Sequence, residues 1–176
     1  MKMYTDEDAS LEPLAGKIVA ILGYGNQGRA QALNLRDSGV TVLVGNRQDS
    51  YLEQARADGF EPVTLLEAAS AADFLFVLTT DESQPQIWDA QIAPGISAGK
   101  TLVWASGYNV GYGLIEPPPN VDVLLVAPRM TGNMVRTLFE NGKGAMSQVG
   151  VHQDASGEAW VRMMAVARGI GSTRAG

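Results

Sequence analysis

Cysteine is absent from the 176 residues, and histidine occurs once. Without thiols there is no disulfide and no thiolate metal site, and a reducing compartment is permitted. No apolar run approaches the roughly 20 residues that a membrane-spanning helix requires. The opening MKMYTDEDAS is acidic and polar, unlike a secretory leader. The 13 basic residues are scattered among 19 acidic ones, for a formal charge of −6. That sign disfavours a nucleic-acid or acidic-membrane partner. The expectation is a soluble cytoplasmic protein.

Apolar residues make up 45% of the chain, enough for a packed core. The length suits a single domain, residues 1–176. From Gly16 onward, short β-branched runs alternate with helical patterns. Strands are expected at Lys17–Leu22, Val40–Gly45, Phe74–Thr79, Thr101–Ala105, Val121–Ala127 and Ser147–Val151. Several are apolar almost throughout, as in a parallel sheet covered on both faces. Helices are expected at Gln27–Asp37, with Gly39 beyond its end, at Tyr51–Ala57, stopped near Gly59, and around Ser83–Gln91 with Pro85 in its first turn. Thr64 and Glu67 form a capping box that opens a helix through Ala71. A helix over Gly157–Arg168 carries Trp160, Met163, Met164 and Ala167 and is expected to end at Gly169. Trp104, Trp160, Met163 and Met164 read as core, and Trp88 as a helix-face residue. The alternation implies an α/β fold, a doubly wound (Rossmann-type), mostly parallel sheet with helices on both faces. The prolines of EPPPN, Glu116–Asn120, remove three amide donors and read as a stiff loop.

The stretch KIVAILGYGNQGRA holds the most specific motif. Gly23-x-Gly25-x-x-Gly28 follows the first strand and opens the first helix, the context of a dinucleotide site. Gly23 permits the tight turn, Gly25 leaves room for a pyrophosphate, and Gly28 allows close helix–strand approach. Free amides at the helix start then face the phosphates. At the end of the second strand, an NAD site usually places an acid for the ribose 2′-OH. Here VTVLVGNRQDS presents Gly45, Asn46 and Arg47. A guanidinium suits a 2′-phosphate, and Ser50 adds a hydroxyl, so NADP(H) is favoured over NAD. Arg47 as an ordinary solvated side chain stays open. Asp49 repels a phosphate if it lies close, and is harmless if it turns away as a helix N-cap.

The segments GYGNQGRAQALNLRDSGVTVLVGNR, ADGFEP, GYNVGYGLIEPP, VDVLLVAPR and VHQDASG resemble the N-terminal domain of ketol-acid reductoisomerase (acetohydroxyacid isomeroreductase), nearly end to end. That family serves branched-chain amino acid biosynthesis. It uses NADPH and magnesium to migrate an alkyl group in a 2-acetohydroxy acid and then reduce the ketone. The resemblance implies a pyrophosphate loop at Tyr24, Gly25, Asn26 and Gln27 and a 2′-phosphate site at Arg47 and Ser50. A further family serine falls at Leu52. Thr79, Thr80, Asp81 and Gln84 are implied to lie against the cofactor, with Thr80 in place of the usual proline. Ser106 stands where the family has a histidine beside the nicotinamide, and Gly111 where it commonly has another. In APRMTGNMVR, Arg129 replaces a lysine, and Met130, Thr131, Gly132 and Asn133 replace Gly-Pro-Gly-His. Gly132 is taken over as cofactor-binding.

Serine does not titrate near neutrality as imidazole does. Loss of a positioned acid–base group typically costs about 10²–10⁴-fold. Ser106 is expected to hydrogen-bond cofactor or loop backbone, and it has no evident base partner in sequence. GIGSTRAG resembles the point where the family continues into a knotted helical domain, which supplies the carboxylates for two magnesium ions. No metal site is expected within these residues: Asp6, Glu7 and Asp8 read as a solvated terminus, and His152 as structural. The expectation is an NADP(H)-binding, reductoisomerase-like oxidoreductase with altered or lost reductoisomerase activity. It acts on a small-molecule substrate and forms, on one reading, a homo-oligomer. The alternative is a non-catalytic module or subunit that docks on a partner protein.

Overall fold

A computed structural model describes residues 2–175. Six strands form one sheet: β1 (Ile18–Leu22), β2 (Thr41–Gly45), β3 (Phe74–Val77), β4 (Thr101–Trp104), β5 (Asp122–Pro128) and β6 (Ser147–Gln153). Their order is β2-β1-β3-β4-β5-β6, parallel except for the antiparallel β5–β6 pair. The expected strands are all present, each within two residues at either end.

Helix α1 (Asn26–Asp37) covers one face, with α7 (Ala159–Gly169) beside it. Their buried residues, such as Leu33, Leu35, Met163 and Val166, share a core with Val19, Ile21, Phe76 and Leu124 of the sheet. Helix α2 (Ser50–Ala57) adds Ala55 to this core. The other face meets α3 (Leu65–Ala71) and the segment after β3. That segment is not the single helix expected over Ser83–Gln91. It is a short α4 (Gln84–Ile87) followed by a π turn at Trp88–Ile92. Trp88 is buried there, with its ring centroid 5.7 Å from that of Trp104.

The α3 capping box forms as read: the Glu67 amide donates to Thr64 Oγ1, and the Thr64 amide donates to Glu67 Oε2. At the other end of α3, buried Lys100 donates to the carbonyls of Ala69, Ser70 and Ala72 at 2.6–2.8 Å. A cation on orphaned C-terminal carbonyls complements the helix dipole. Burial draws its amine below the usual lysine range, against the attraction of Asp73.

Two helices were not anticipated: α5 (Tyr108–Gly111) and α6 (Gly132–Glu140). Helix α6 packs on α1 so closely that a Cβ on Gly132 would lie 1.9 Å from the Asn26 carbonyl oxygen. Helix α7 ends at Gly169 as expected, but the left-handed backbone lies two residues on, at Gly171 with φ 87°, while Gly169 packs against Leu35.

Trp160 is not core. It is 43% exposed, edge-on to the ring of Tyr4. Nor is the acidic N-terminal cluster simply solvated. Asp6–Asp8 forms a 3-10 turn whose Asp6 and Ala9 carbonyls accept from Arg168. Among the described residues, no helix is long and apolar enough to cross a membrane.

Candidate functional site: a dinucleotide crevice

The strand order reverses between β1 and β3, and ligands in open α/β sheets bind at such a switch point, off the carboxyl ends of the strands. Gly23 ends β1 there with φ 101°, its amide donating to the Gly45 carbonyl of β2. A Cβ on Gly23 would lie 2.9 Å from the Thr79 amide, so the β1 and β3 loops meet across a gap only glycine leaves open. A Cβ on Gly28 would lie 1.9 Å from the Gly23 carbonyl oxygen, which fixes how closely α1 sits on its own turn. Gly25 is different: nothing lies within 4 Å of where its Cβ would be. It is the N-cap of α1 and offers no side chain to the first-turn amides of Asn26, Gln27 and Gly28. No side chain caps those donors, which lie at the positive end of the helix dipole.

A crevice of about 210 Å³ begins at this turn and is lined by Gly23, Tyr24, Gly25, Arg47, Asp49 and Thr79, among others. Tyr24 lines its back wall. Its ring is fully buried against Phe60, its amide donates to Asn46 Oδ1, and its hydroxyl donates to Asp58 at 2.9 Å. Burial, reinforced by Asp58, pushes the phenol well above its ordinary range. Arg29 grips the same carboxylate with Nε at 2.7 Å and Nη2 at 2.9 Å, and holds it below the usual carboxylate value. Gln27 donates to the Met130 carbonyl, so the loop before α6 is tied to the glycine turn.

Arg47 is 66% exposed at the crevice mouth, its Nε 2.9 Å from Asp49 Oδ2. Asp49 is the N-cap of α2, accepting from the Tyr51 amide, and it also accepts from Asn46 Nδ2. It does not turn away from Arg47, as a pure cap would. Its anchored carboxylate holds Nε, while no partner engages the two terminal guanidinium nitrogens among the described residues. Burial alone would raise the Asp49 carboxyl. The donors Arg47, Asn46 and Tyr51 N–H outweigh it and hold the group low. Ser50 is exposed as the first residue of α2, whereas Leu52 is buried in the core and faces no ligand.

The loops after β3 and β4 are joined by a polar chain that sequence reasoning missed. Gln84 Nε2 donates to the Thr79 carbonyl, and its Oε1 accepts from Trp104 Nε1 and Asn109 Nδ2. Asn109 Nδ2 also donates to the Asp81 carbonyl. Ser106 Oγ donates to Asp81 Oδ2 at 2.9 Å and accepts from the Tyr108 amide at 3.3 Å. The loop-backbone contact expected of Ser106 is therefore present, but its shortest bond goes to a carboxylate. Gln84 is a buried strut, not an open ligand group. Among the described residues, two buried side-chain atoms lack a partner, Thr79 Oγ1 and Asn109 Oδ1. The first belongs to a crevice-lining residue, a polar atom awaiting a ligand or water.

Gly132 opens α6 with no room for a Cβ beside the Asn26 carbonyl, and Thr80 Oγ1 donates to Ser83. Arg129 lies apart from the crevice, in a cavity beside α7. His152 is exposed on β6. Among the described residues, no three His, Cys, Asp or Glu side chains converge as metal ligands.

Four carboxylates, Asp49 in the crevice and three elsewhere, give a pH prediction. Asp58 and Asp49, with Asp37 held by Arg136 and Asp73 held by the Ile18 amide and Lys17, all sit below their ordinary values in the fold. A depressed acid stabilises the fold above its unfolded value of about 4, and the benefit is lost as pH falls through the lower folded values. Urea unfolding midpoints are expected to hold between pH 7 and 5 and to fall steeply toward pH 3. A flat profile to pH 3 contradicts these pairings.

Residues 13–176 match the family described as acetohydroxy acid isomeroreductase, NADPH-binding domain. The ketol-acid reductoisomerase (NADP(+)) of Pyrobaculum neutrophilum is 52% identical, across 99% of this chain and 54% of that protein. The enzyme of that name from Methanopyrus kandleri is 51% identical, with 99% and 54% covered. The solved structure of an NADH-preferring ketol-acid reductoisomerase from an uncultured archean superposes with a TM-score of 0.98 at 38% identity, over 100% of this chain and 55% of that one. The chain spans about half the length of the curated relatives it matches.

Proposed function

The chain belongs to the acetohydroxy acid isomeroreductase family, as its NADPH-binding domain, and on that premise we propose that it holds NADP(H) in the β1–β3 crevice and serves an oxidoreductase. The open flank of Gly25, below three uncapped amides, carries this reading. The amides of Asn26, Gln27 and Gly28 hold the diphosphate. The unengaged nitrogens of Arg47, with Ser50 beside them, meet the 2′-phosphate. Thr79 Oγ1 gives the crevice a buried hydrogen-bonding atom. The fit is one of residue chemistry: small residues where the diphosphate lies, and a cation where the extra phosphate lies. When bound, the nicotinamide supplies a hydride.

The chain's own residues argue for altered or lost reductoisomerase activity. Ser106, fixed by Asp81, offers a hydroxyl that does not ionise near neutral pH where the family has an imidazole that does. The second reading, a module docking on another chain, is favoured by one observation. Tyr108, Tyr112 and Leu114 expose 52%, 75% and 51% of their surface in one short stretch around α5. Light scattering separates the two: a monomer at all concentrations that oxidises NADPH with a keto acid contradicts the pure module.

Calorimetric titration is expected to give micromolar NADPH binding, about −8 kcal/mol, with NADH weaker. No heat with NADPH, or tighter NADH, contradicts the assignment. Arg47→Gln is expected to weaken NADPH by about 10–100-fold, the worth of a charged hydrogen bond or two, and to leave NADH nearly unchanged. Asp49→Asn keeps an N-cap but removes the negative charge that holds Arg47. It is expected to tighten NADPH several-fold relative to NADH.

A further inference from the structure

Helix α2 carries a cap acid at each end, and one residue of the glycine turn reaches both. The Tyr24 amide donates to Asn46 Oδ1, and Asn46 Nδ2 donates in turn to Asp49, the N-cap. The Tyr24 hydroxyl donates to Asp58, the C-cap, at 2.9 Å. Arg29 of α1 closes on the same carboxylate with bonds of 2.7 and 2.9 Å, and Arg36 Nη1 donates to the Asp58 carbonyl at 2.7 Å. Asp58 thus joins the glycine turn, α1 and the far end of α2, with its side chain only 16% exposed. A partly buried ion pair contributes little net stability by itself, and apolar residues of equal size often serve as well. Stability alone does not account for this clamp.

The two ends of the crevice depend on it unequally. The diphosphate turn is fixed by steric contact, Gly23 on the Thr79 amide and Gly28 on the Gly23 carbonyl, and by β1 lying inside the sheet. Helix α2 lies outside the sheet and buries only Leu52 and Ala55. Its eight residues span about 12 Å, at 1.5 Å each. Asp49 and Ser50, beside Arg47, stand at its near end, and Asp58 holds the other. A helix with so small a buried face keeps its near end in place only if its far end is held.

We propose that Asp58 is a positioning residue for cofactor discrimination. By fixing the far end of α2 to Tyr24 and Arg29, it sets how far Arg47 and Ser50 stand from the diphosphate turn, and so favours the dinucleotide that bears a 2′-phosphate. Asp58 is not among the residues that line the crevice, and it acts through α2. The inference rests on the dinucleotide reading of that crevice. Charge alone predicts the reverse. Removing a carboxylate favours the more anionic ligand, and it frees Arg29, which lines a cavity with Gly25 and Asn26. Loss of a clamp disfavours the same ligand. Asp49→Asn and Asp58→Asn, at opposite ends of one helix, therefore have opposite expected signs.

The test measures NADPH and NADH dissociation constants by calorimetry for the unmodified chain, Asp58→Asn and Tyr24→Phe, with thermal unfolding to show that each is folded. Asp58→Asn is expected to lower the preference for NADPH about tenfold, the worth of one charge-assisted hydrogen bond at the 2′-phosphate, and to change NADH binding by less than about twofold. Tyr24→Phe keeps the ring on Phe60 and leaves Arg29 in place. It is expected to lower the preference about threefold, nearer the worth of a neutral hydrogen bond. In phosphorus NMR spectra of Asp58→Asn with NADPH, the 2′-phosphate signal is expected to move toward its free position while the diphosphate signals keep their bound shifts. A preference that is unchanged or raised in folded Asp58→Asn overturns the proposal. So does equal weakening of both nucleotides, the mark of a purely structural role. If Asp58→Asn does not fold, Tyr24→Phe decides by the same criteria. No NADPH binding by the unmodified chain overturns the dinucleotide reading itself, and this inference with it.

Discussion

Gly25→Val is expected to leave the fold intact and to weaken NADPH by at least about a hundredfold. The backbone at Gly25 is extended, with φ −75° and ψ −158°, a conformation valine tolerates, and an added Cβ meets nothing within 4 Å. The added carbons stand instead where a diphosphate approaches the amides of α1. Each charged hydrogen bond lost there is worth about 1.5–3 kcal/mol. Gly28→Ala is the internal control. Its single added carbon would lie 1.9 Å from a backbone oxygen that cannot rotate away, so α1 must lift off the β1 turn. The expected cost is about 3 kcal/mol, the upper end for overpacking, with binding lost only as the fold is lost. Chemical denaturation together with NADPH titration separates the two effects. A Gly25→Val chain that binds normally removes the diphosphate assignment. A Gly28→Ala chain of unchanged stability contradicts the close approach.

Asp122→Ala is expected to destabilise the chain by about 3–5 kcal/mol, the range for breaking a buried ion pair from one side. The Asp122 side chain has no exposed surface. Oδ1 accepts from the amides of Ala155 and Ser156, and Oδ2 accepts from Ser156 Oγ at 2.7 Å and pairs with Arg162 at 3.0 Å. One carboxylate thus closes the β6–α7 loop onto the start of β5 and fixes Arg162, which also reaches Thr101 Oγ1 and the Gly99 carbonyl. Alanine orphans all of these donors at once. Asparagine keeps an oxygen for the two amides and is expected to cost distinctly less. Urea midpoints measured at pH 7 decide it, and a loss under 1 kcal/mol for alanine contradicts the arrangement.

The glycine turn was legible because its geometry is local: strand, tight turn and helix start lie within a dozen residues, and each glycine answers one steric demand. The Thr64–Glu67 box was legible for the same reason. Asp122 is not, because sequence places it only within the strand Val121–Ala127, and its partners arrive from the next loop and from α7. The Ser106–Asp81 bond was equally hidden. It exists because β3 and β4 are adjacent and parallel, which brings their following loops together. Helix α6 was readable in principle: Val135 and Leu138 face α1, and Gly142 follows its end with φ 70°. Its opening Thr131-Gly132-Asn133 is read only as a departure from the family's Gly-Pro-Gly-His; Gly132 serves close packing there. Trp160 was misplaced because helical spacing tells which residues share a face, not whether anything covers that face. Arg47 was read as a phosphate ligand or a solvated side chain; its tether to Asp49 combines the two, since it is exposed yet held at the crevice mouth.

A crystal structure of the chain soaked with NADPH tests the central claim most directly. The account predicts diphosphate oxygens within hydrogen-bonding distance of the Asn26 and Gln27 amides beside Gly25, with the 2′-phosphate on the terminal nitrogens of Arg47. Density for the nucleotide elsewhere, or a diphosphate in the crevice with Arg47 still turned to Asp49 and the 2′-phosphate in solvent, contradicts it.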